Sequence, residues 1–575
     1  MTEEIIELTE DVSASPLYSA DLAPVPKEKR TWTVWSLAAL WVGMAVCIPT
    51  YLLASYMMQD GMDWLEALII IGVANLVITI PMVLNGHAGV KYGIPFPVVG
   101  RSSFGIKGIH LPSITRGIVA CGWFGIQTWI GGLALYEICY AFSDSPTPTE
   151  LNWLMFLCFS LFWLLNMFFI WKGTDSIKWL EEWSAPILIL MGIVLIGWGA
   201  YNAGGFGVVL DQSEQLRKPS FTLENGEKDY LLKINPIKGL DNQPKAQYYQ
   251  CRSVSNSDTT ETDWLLIPSN GVAPVSADLI GGPAFSARLK FENKGNKHFS
   301  KWVTVEPASG MHSQQNKLWQ YIKWLTVMLG FWATMSLSIA DITRFSSSQK
   351  AQKAGQFIGL PGTMILYSFV AIFVTCAALV LFDDVLIADD APWDPTALLG
   401  KFQNPWVVII AQVFMIIATL STNIAANVIA PSNAFSNLFP KKISFKAGGT
   451  ITGIIGIIIC PWWLMSSIAD ILIVVSGFLG PVLGIMLCDY FFIRKKRLQL
   501  AELYKVNGLY SYSKGINWIA MISLILGIFG ALIWYVVPDL WFLSDLAWFT
   551  GFIITFVVYY VVMKGSTHYK QIKQD

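Results

Sequence analysis

Charge is what this sequence has least of: 14% of its 575 residues are Asp, Glu, Lys or Arg, against 54% hydrophobic. A soluble domain carries about 25% charged and about 45–50% apolar residues. So much apolar surface cannot be hidden in a water-soluble core, and lipid is the expected solvent. A net charge of −1 offers no basic field to release counterions, which argues against nucleic acid as a partner. Of eight cysteines only Cys251 lies outside an apolar segment, so neither a disulfide framework nor metal-ligand spacing emerges. The five histidines are scattered, and no nucleophile elbow, P-loop, HExxH or cofactor fingerprint is found. These gaps point away from an enzyme and from any cofactor. Residues 1–30 run acidic, then basic, without an apolar core, and read as a retained tail, not a cleaved signal peptide.

What is abundant is long apolar runs. About twelve reach the roughly twenty residues that cross a bilayer, near 33–58, 64–86, 113–142, 151–171, 184–203, 318–343, 357–382, 405–432, 449–465, 469–493, 516–537 and 546–563. Alternate loops carry the basic residues: Lys27, Lys29 and Arg30; Lys91, Arg101, Lys107 and Arg116; Lys172 and Lys178; Arg344, Lys350 and Lys353; Lys441, Lys442 and Lys446; then 494–497. The intervening loops are acidic, with Asp60, Asp63, Asp144, Glu150, five Asp between 383 and 394, then Asp470, Asp539 and Asp545; Lys401 is nearly their only basic residue. Basic loops face the cytoplasm, so both termini are expected there, in a multi-pass protein of the cell membrane. Residues 204–317 are polar and rich in Gly and Pro, with strand-like runs such as 301–306. They are expected outside the cytoplasm, as a small β-rich domain or an irregular insertion. The expected organisation is a tail over 1–32, five helices over 33–203, the insertion, five more over 318–493, and two helices with a C-terminal tail over 494–575.

Four spans contain chemistry. In the first, Gly43 and Pro49 interrupt an apolar run, giving either a kink or a broken helix. The sixth carries a small, polar stretch at 330–338. If the chain holds two inverted five-helix repeats, these spans are equivalent, and paired interruptions mark a midplane site in secondary transporters. Trp123 and Gln127, four apart in the third span, share a face. They suit a flat ring with amide edges, or else packing and interhelical glue. In the eighth, Ala418, Ser421 and Thr422 share a face fit for a hard monovalent cation, with Asn423 and Asn427 on another stripe as donors to a solute. The alternative is hydroxyls bonding back to their own helix. Asp341 with Arg344, and Asp489 with Arg494, read as snorkelling or helix-end groups. Glu137 reads as interfacial.

At these residues the sequence resembles the nucleobase–cation symporters of the cytosine, uracil, allantoin, hydantoin and thiamine type. The carrying stretches are LWVGMAVCIPTY, YGIPFPVVGRSSFG, GWFGIQTW, FWATMSLSIADITRF, LSTNIAANVIAPSNAFSNLFP and DYFFIRKKR, in this order, over nearly all of the chain except 204–317. The resemblance implies an all-α membrane protein of about twelve helices with the LeuT-like 5+5 inverted repeat and broken helices 1 and 6. It implies that Trp123 and Trp332 sandwich a small planar heterocycle. Gln127, Asn427 and the backbone near Phe331 would bond its edges, and Cys47 would stand where relatives present a carboxamide. A cation, sodium or proton, is implied; sodium would sit among the carbonyls of Gly43, Val46 and Ala418 and the hydroxyls of Ser421 and Thr422. The segment 477–484 would gate access. The expected function is cation-coupled import of a nucleobase or related cyclic amide. The alternatives are a solute sensor on the same scaffold, or a thiamine or amino-acid carrier.

Overall fold

A computed structural model describes residues 5–143, 147–148, 150–217, 219, 221–225, 230–234, 246–254, 259–280, 284–293, 296–300, 302–305, 317–381, 404–464 and 468–569. The first half contains α1 (Val34–Ala45), α2 (Ile48–Gln59), α3 (Trp64–Tyr92), α4 (Phe96–Phe104), α5 (His110–Tyr140), α6 (Trp153–Lys172) and α7 (Thr174–Ala203). After α8 (Phe206–Arg217), the insertion and its one-turn α9 (Ala277–Ile280) come α10 (Lys317–Ser338), α11 (Ala340–Thr343), α12 (Gln349–Leu381), α13 (Pro405–Asn427), α14 (Ile429–Leu438), α15 (Phe445–Ile458), α16 (Pro461–Leu464), α17 (Ile468–Leu487), α18 (Trp518–Leu532) and α19 (Ala547–Gly565).

Among the described residues nine helices are long and apolar enough to cross a membrane, and the pair α1 and α2, bent by 60°, makes a tenth. Two further elements match the remaining expected spans. One is α10, 22 residues long, whose Thr326, Thr334, Ser336 and Ser338 are buried among other helices and not presented to lipid. The other is α15, only 14 residues. The outward faces of α3, α6 and α7 carry exposed Leu, Ile, Phe and Trp, as a hydrocarbon solvent requires. The acidic run between 383 and 394, Lys401 and Asp144 lie outside the described residues.

The basic end is knitted, not frayed. Residues 5–32 form a strap across it: Arg101 donates to Leu17 O (3.0 Å), Tyr504 to Leu22 O (2.7 Å) and Lys441 to Ser13 O (2.9 Å). Asp21 accepts the Phe445 N–H at 2.8 Å. The loop YGIPFPVVGRSSFG folds into α4, every residue of which is buried. The expected surface role of Asp489 and Arg494 does not hold. They form a buried ion pair at 2.7 Å, and Asp489 also accepts from Tyr559 (2.9 Å) and Ser103 (3.1 Å). Asp341 is buried too, accepting from Phe96 N–H (3.0 Å) and Asn433 (2.9 Å). Snorkelling fails because α4 and the segment after α17 roof over these helix ends. Glu137 does sit at an edge, accepting from Thr147 at 2.9 Å in the loop beyond α5.

The insertion is β-rich, as its turn signals suggest. Strands β1 (Phe221–Asn225), β2 (Tyr230–Ile234) and β6 (Val272–Val275) form one antiparallel sheet. A second contains β3 (Ala246–Val254), β4 (Thr259–Glu261), β5 (Leu265–Leu266), β7 (Ala284–Asn293), β8 (Asn296–Phe299) and β9 (Val303–Thr304). In register, Tyr249 pairs with Leu289 and Cys251 with Ala287; all four are buried. The opposite face carries Arg252, Arg288 and Lys290 over the rings of Trp302, Trp264 and Tyr248. Of the expected strand at 301–306, only Val303 and Thr304 are described as strand.

Candidate functional site: a break in the first span

Proline dictates the break. Pro49 has no N–H to give the carbonyl four residues back, and Ala45 O instead receives the Cys47 N–H at 3.0 Å. The chain runs extended through Cys47 (φ −143°, ψ 160°) and restarts as helix with Pro49 in its first turn, where a missing donor does no harm. The freed carbonyls are met from the eighth span: the Thr422 hydroxyl donates to Gly43 O at 2.9 Å and lies 3.4 Å from Met44 O. Thr422 does not bond back to its own helix. In the sixth span the interruption expected within 330–338 comes one residue later, at Ile339 between α10 and α11. The polar stretch stays helical with its hydroxyls satisfied by back-bonding, Ser336 to Ala333 O (2.8 Å) and Ser338 to Thr334 O (3.0 Å).

Beside the first break lies a chain of edge-on aromatic contacts. Trp123 meets Phe331 with centroids 5.7 Å apart at 81°, and Phe331 meets Trp332 at 4.8 Å and 64°. Trp332 in turn meets Trp41 at 5.3 Å and 82°. Phe331 therefore stands between the two indoles expected to form a sandwich. Both indoles are buried, and the Trp332 Nε1 donor has no acceptor.

Carboxamides line the same region. Gln127 is 2% exposed, its Oε1 has no donor, and its side chain reaches the Cys47 thiol. Cys47 also contacts the Thr50 hydroxyl at 3.3 Å. Asn427 donates to Asn423 Oδ1 at 3.1 Å. Asn423, expected as a donor to solute, is an anchor instead. Its amide nitrogen is taken by Thr128 Oγ1 (3.1 Å), Asn166 Oδ1 (3.0 Å) and Phe124 O (3.3 Å). Asn166 carries no motif that would single it out in the sequence, and Trp41, although within LWVGMAVCIPTY, is given no role there. Arg116 stands out in the sequence: it is the single Lys or Arg of α5, although the positive-loop pattern assigned it to a connecting segment.

Of the remaining expected residues, Thr422 and Gly43 are in direct contact. Gly43, Val46, Ala418, Ser421 and Thr422 are all buried, and Ser421 Oγ lies 3.1 Å from Ser184 Oγ. The donor set is neutral oxygen, hydroxyls and main-chain carbonyls. Among the described residues no group of three His, Cys, Asp or Glu side chains could hold a metal ion. Neutral oxygens without a carboxylate fit a hard monovalent cation and not a divalent one. The N–H groups of Val46 and Cys47 are bonded to Val42 O and Ala45 O.

Comparison with known proteins places the chain in a family. The model of the family described as "Permease for cytosine/purines, uracil, thiamine, allantoin" matches residues 24–223 and 295–563. An allantoin permease of Bacillus subtilis (strain 168) is 31% identical over 558 residues, covering 95% of this chain and 93% of that one. A purine-uracil permease of Arabidopsis thaliana is 33% identical over 568 residues, with 95% and 78% covered. Among solved structures, Mhp1, a nucleobase-cation-symport-1 family transporter in a closed conformation with bromovinylhydantoin bound, superposes with a TM-score of 0.66. It is 21% identical, with 97% of this chain and 99% of that chain covered. At that identity the likeness speaks for the fold, the LeuT-like one with interrupted first and sixth spans.

Proposed function

Because this chain belongs to the family of permeases for cytosine/purines, uracil, thiamine and allantoin, we propose that it imports a nucleobase or related cyclic amide across the cell membrane, driven by a sodium or proton gradient. The observation that carries the reading is a pair of buried, unanswered polar atoms, the Gln127 Oε1 acceptor and the Trp332 Nε1 donor, in a region walled by indole and phenyl rings. A buried donor or acceptor without a partner is unfavourable by about 1–3 kcal/mol, and a flat ring with amide edges relieves both while stacking on aromatic faces. Trp123 and Trp332 supply the stack, Gln127 and Asn427 the edge contacts, and Cys47 a weaker one. Phe331 turns aside to admit the ring.

The coupling cation is cargo as well. Gly43, Val46 and Ala418 carbonyls with Ser421 and Thr422 hydroxyls would hold sodium, whose charge offsets their converging dipoles and draws the first break toward the eighth span. The basic end, with both termini, faces the cytoplasm.

Uptake into proteoliposomes tests the reading. Uracil, cytosine, allantoin, hydantoins and thiamine are offered with sodium and proton gradients imposed separately. Saturable accumulation of one such solute, dependent on one gradient, is expected. Binding without accumulation would turn the protein into a sensor, and uptake of amino acids alone would reject the substrate class.

A further inference from the structure

Arg116 is 1% exposed, in the second turn of α5, and no ion pair in the described structure includes it. It lies seven residues before Trp123 on α5, about 10 Å along the axis at 1.5 Å per residue, on the same stripe. Its Nε donates to Thr334 O (2.7 Å) and Ser338 Oγ (3.2 Å) in α10, and its Nη2 to Ala426 O (3.3 Å) in α13. Nη1 has no acceptor. Both carbonyls lie just before one-residue breaks in their spans, at Ile339 after α10 and at Val428 between α13 and α14, where the backbone keeps right-handed helical angles. The carbonyl ends of helical segments carry partial negative charge, so two such segments converge on one guanidinium, which shares Thr334 O with the Ser338 hydroxyl. Asn85 on α3 takes two more carbonyls of the same α10 end, Ser336 O at 2.9 Å and Leu337 O at 2.7 Å. Burying a cation with one donor unanswered is unfavourable, and an ionisable group inside a membrane bundle is a functional suspect by default.

We propose that Arg116 is the positioning residue of the carrier: its guanidinium bolts the ends of α10 and α13 together beneath the cargo site. Thr334 is two residues beyond Trp332, and Ala426 immediately precedes Asn427, so the bolt sets the separation of stack and amide. It also closes the way toward the basic face. A carrier opens to each side in turn, and parting α10 from α5 and α13 separates Thr334 O from Ala426 O by more than one planar fork can span. Release of one helix end therefore accompanies opening. The inference rests on the cargo site proposed above.

Full-length Arg116→Gln and Arg116→Lys, reconstituted beside the unaltered protein, test it. Gln keeps hydrogen-bonding atoms but loses the charge and the fork. It is expected to raise KM for uptake by roughly tenfold or more, at an unchanged yield of monodisperse protein. Lys keeps the cation between the helix ends without the fork, and its KM is expected between the two. Unaltered KM in Arg116→Gln, with Vmax falling only in proportion to folded protein, would reduce Arg116 to structural glue and overturn the inference. If Arg116→Gln does not fold, Arg116→Lys decides by the same readout. Absence of saturable uptake by the unaltered protein would instead sink the transport reading itself.

Discussion

At the scale of single residues, the aromatic chain makes a sharp claim. Base–aromatic stacking is worth about 1–3 kcal/mol per ring, so Trp123→Ala and Trp332→Ala should each weaken uptake by about 5- to 150-fold while the protein still inserts. Equal uptake by both variants at matched expression would remove stacking from the account. Thr422 lies on the other side of the first break, its hydroxyl on Gly43 O. Thr422→Val conserves volume and removes that oxygen. It should abolish sodium stimulation of uptake if sodium is the driving ion, read as flux against external sodium. An unchanged sodium response would move the cation elsewhere.

At the scale of elements, the legible and the hidden separate cleanly. The break in the first span was readable because proline's missing donor is a local fact. Convergence of Trp123, Gln127 and Cys47 followed from helical spacing together with the family motifs. The interruption expected within 330–338 falls at Ile339; Ser336 and Ser338 satisfy their hydroxyls within their own helix, a choice that composition alone does not reveal. Buried charge was hidden altogether. Arg101, Asp489 and Arg494 look like loop residues until α4, which holds the first, packs beside the helical segment Cys488–Ile493, which holds the second. Removing one partner of a buried pair costs about 3–5 kcal/mol. Asp489→Asn should therefore lower thermal stability in detergent markedly, and a melting curve that does not move would deny the pair its role. The strap along the basic end has a pH limit. The Glu502 carboxyl, hydrogen-bonded by Lys505 and the Leu509 N–H, is held below the ordinary carboxylate value. Its contribution is complete above about pH 4.5 and fades as pH falls through the lowered value. Lys505 also bridges to Glu10, so strong acid should loosen residues 5–32, detectable as faster proteolytic clipping of the tail. Clipping that is no faster at low pH would exclude this tie.

At the scale of the whole molecule, most of the spans were written in hydropathy, and the β-rich character of the insertion in its turn residues. The pairing of its strands was not, because register depends on partners tens of residues apart. The family match omits 224–294, within that insertion, while it includes every residue of the cargo region.

The guanidinium of Arg116 has a consequence for how the chain is made. Its acceptors lie 218 and 310 residues further along, so the third helix enters the bilayer before either exists. Until the sixth and eighth arrive, that helix holds an unanswered cation and favours a shallow or chaperoned position. A ribosome-tethered fragment ending after the fifth span should thus be a substrate for quality control, and late synthesis should seat the third helix at its final depth.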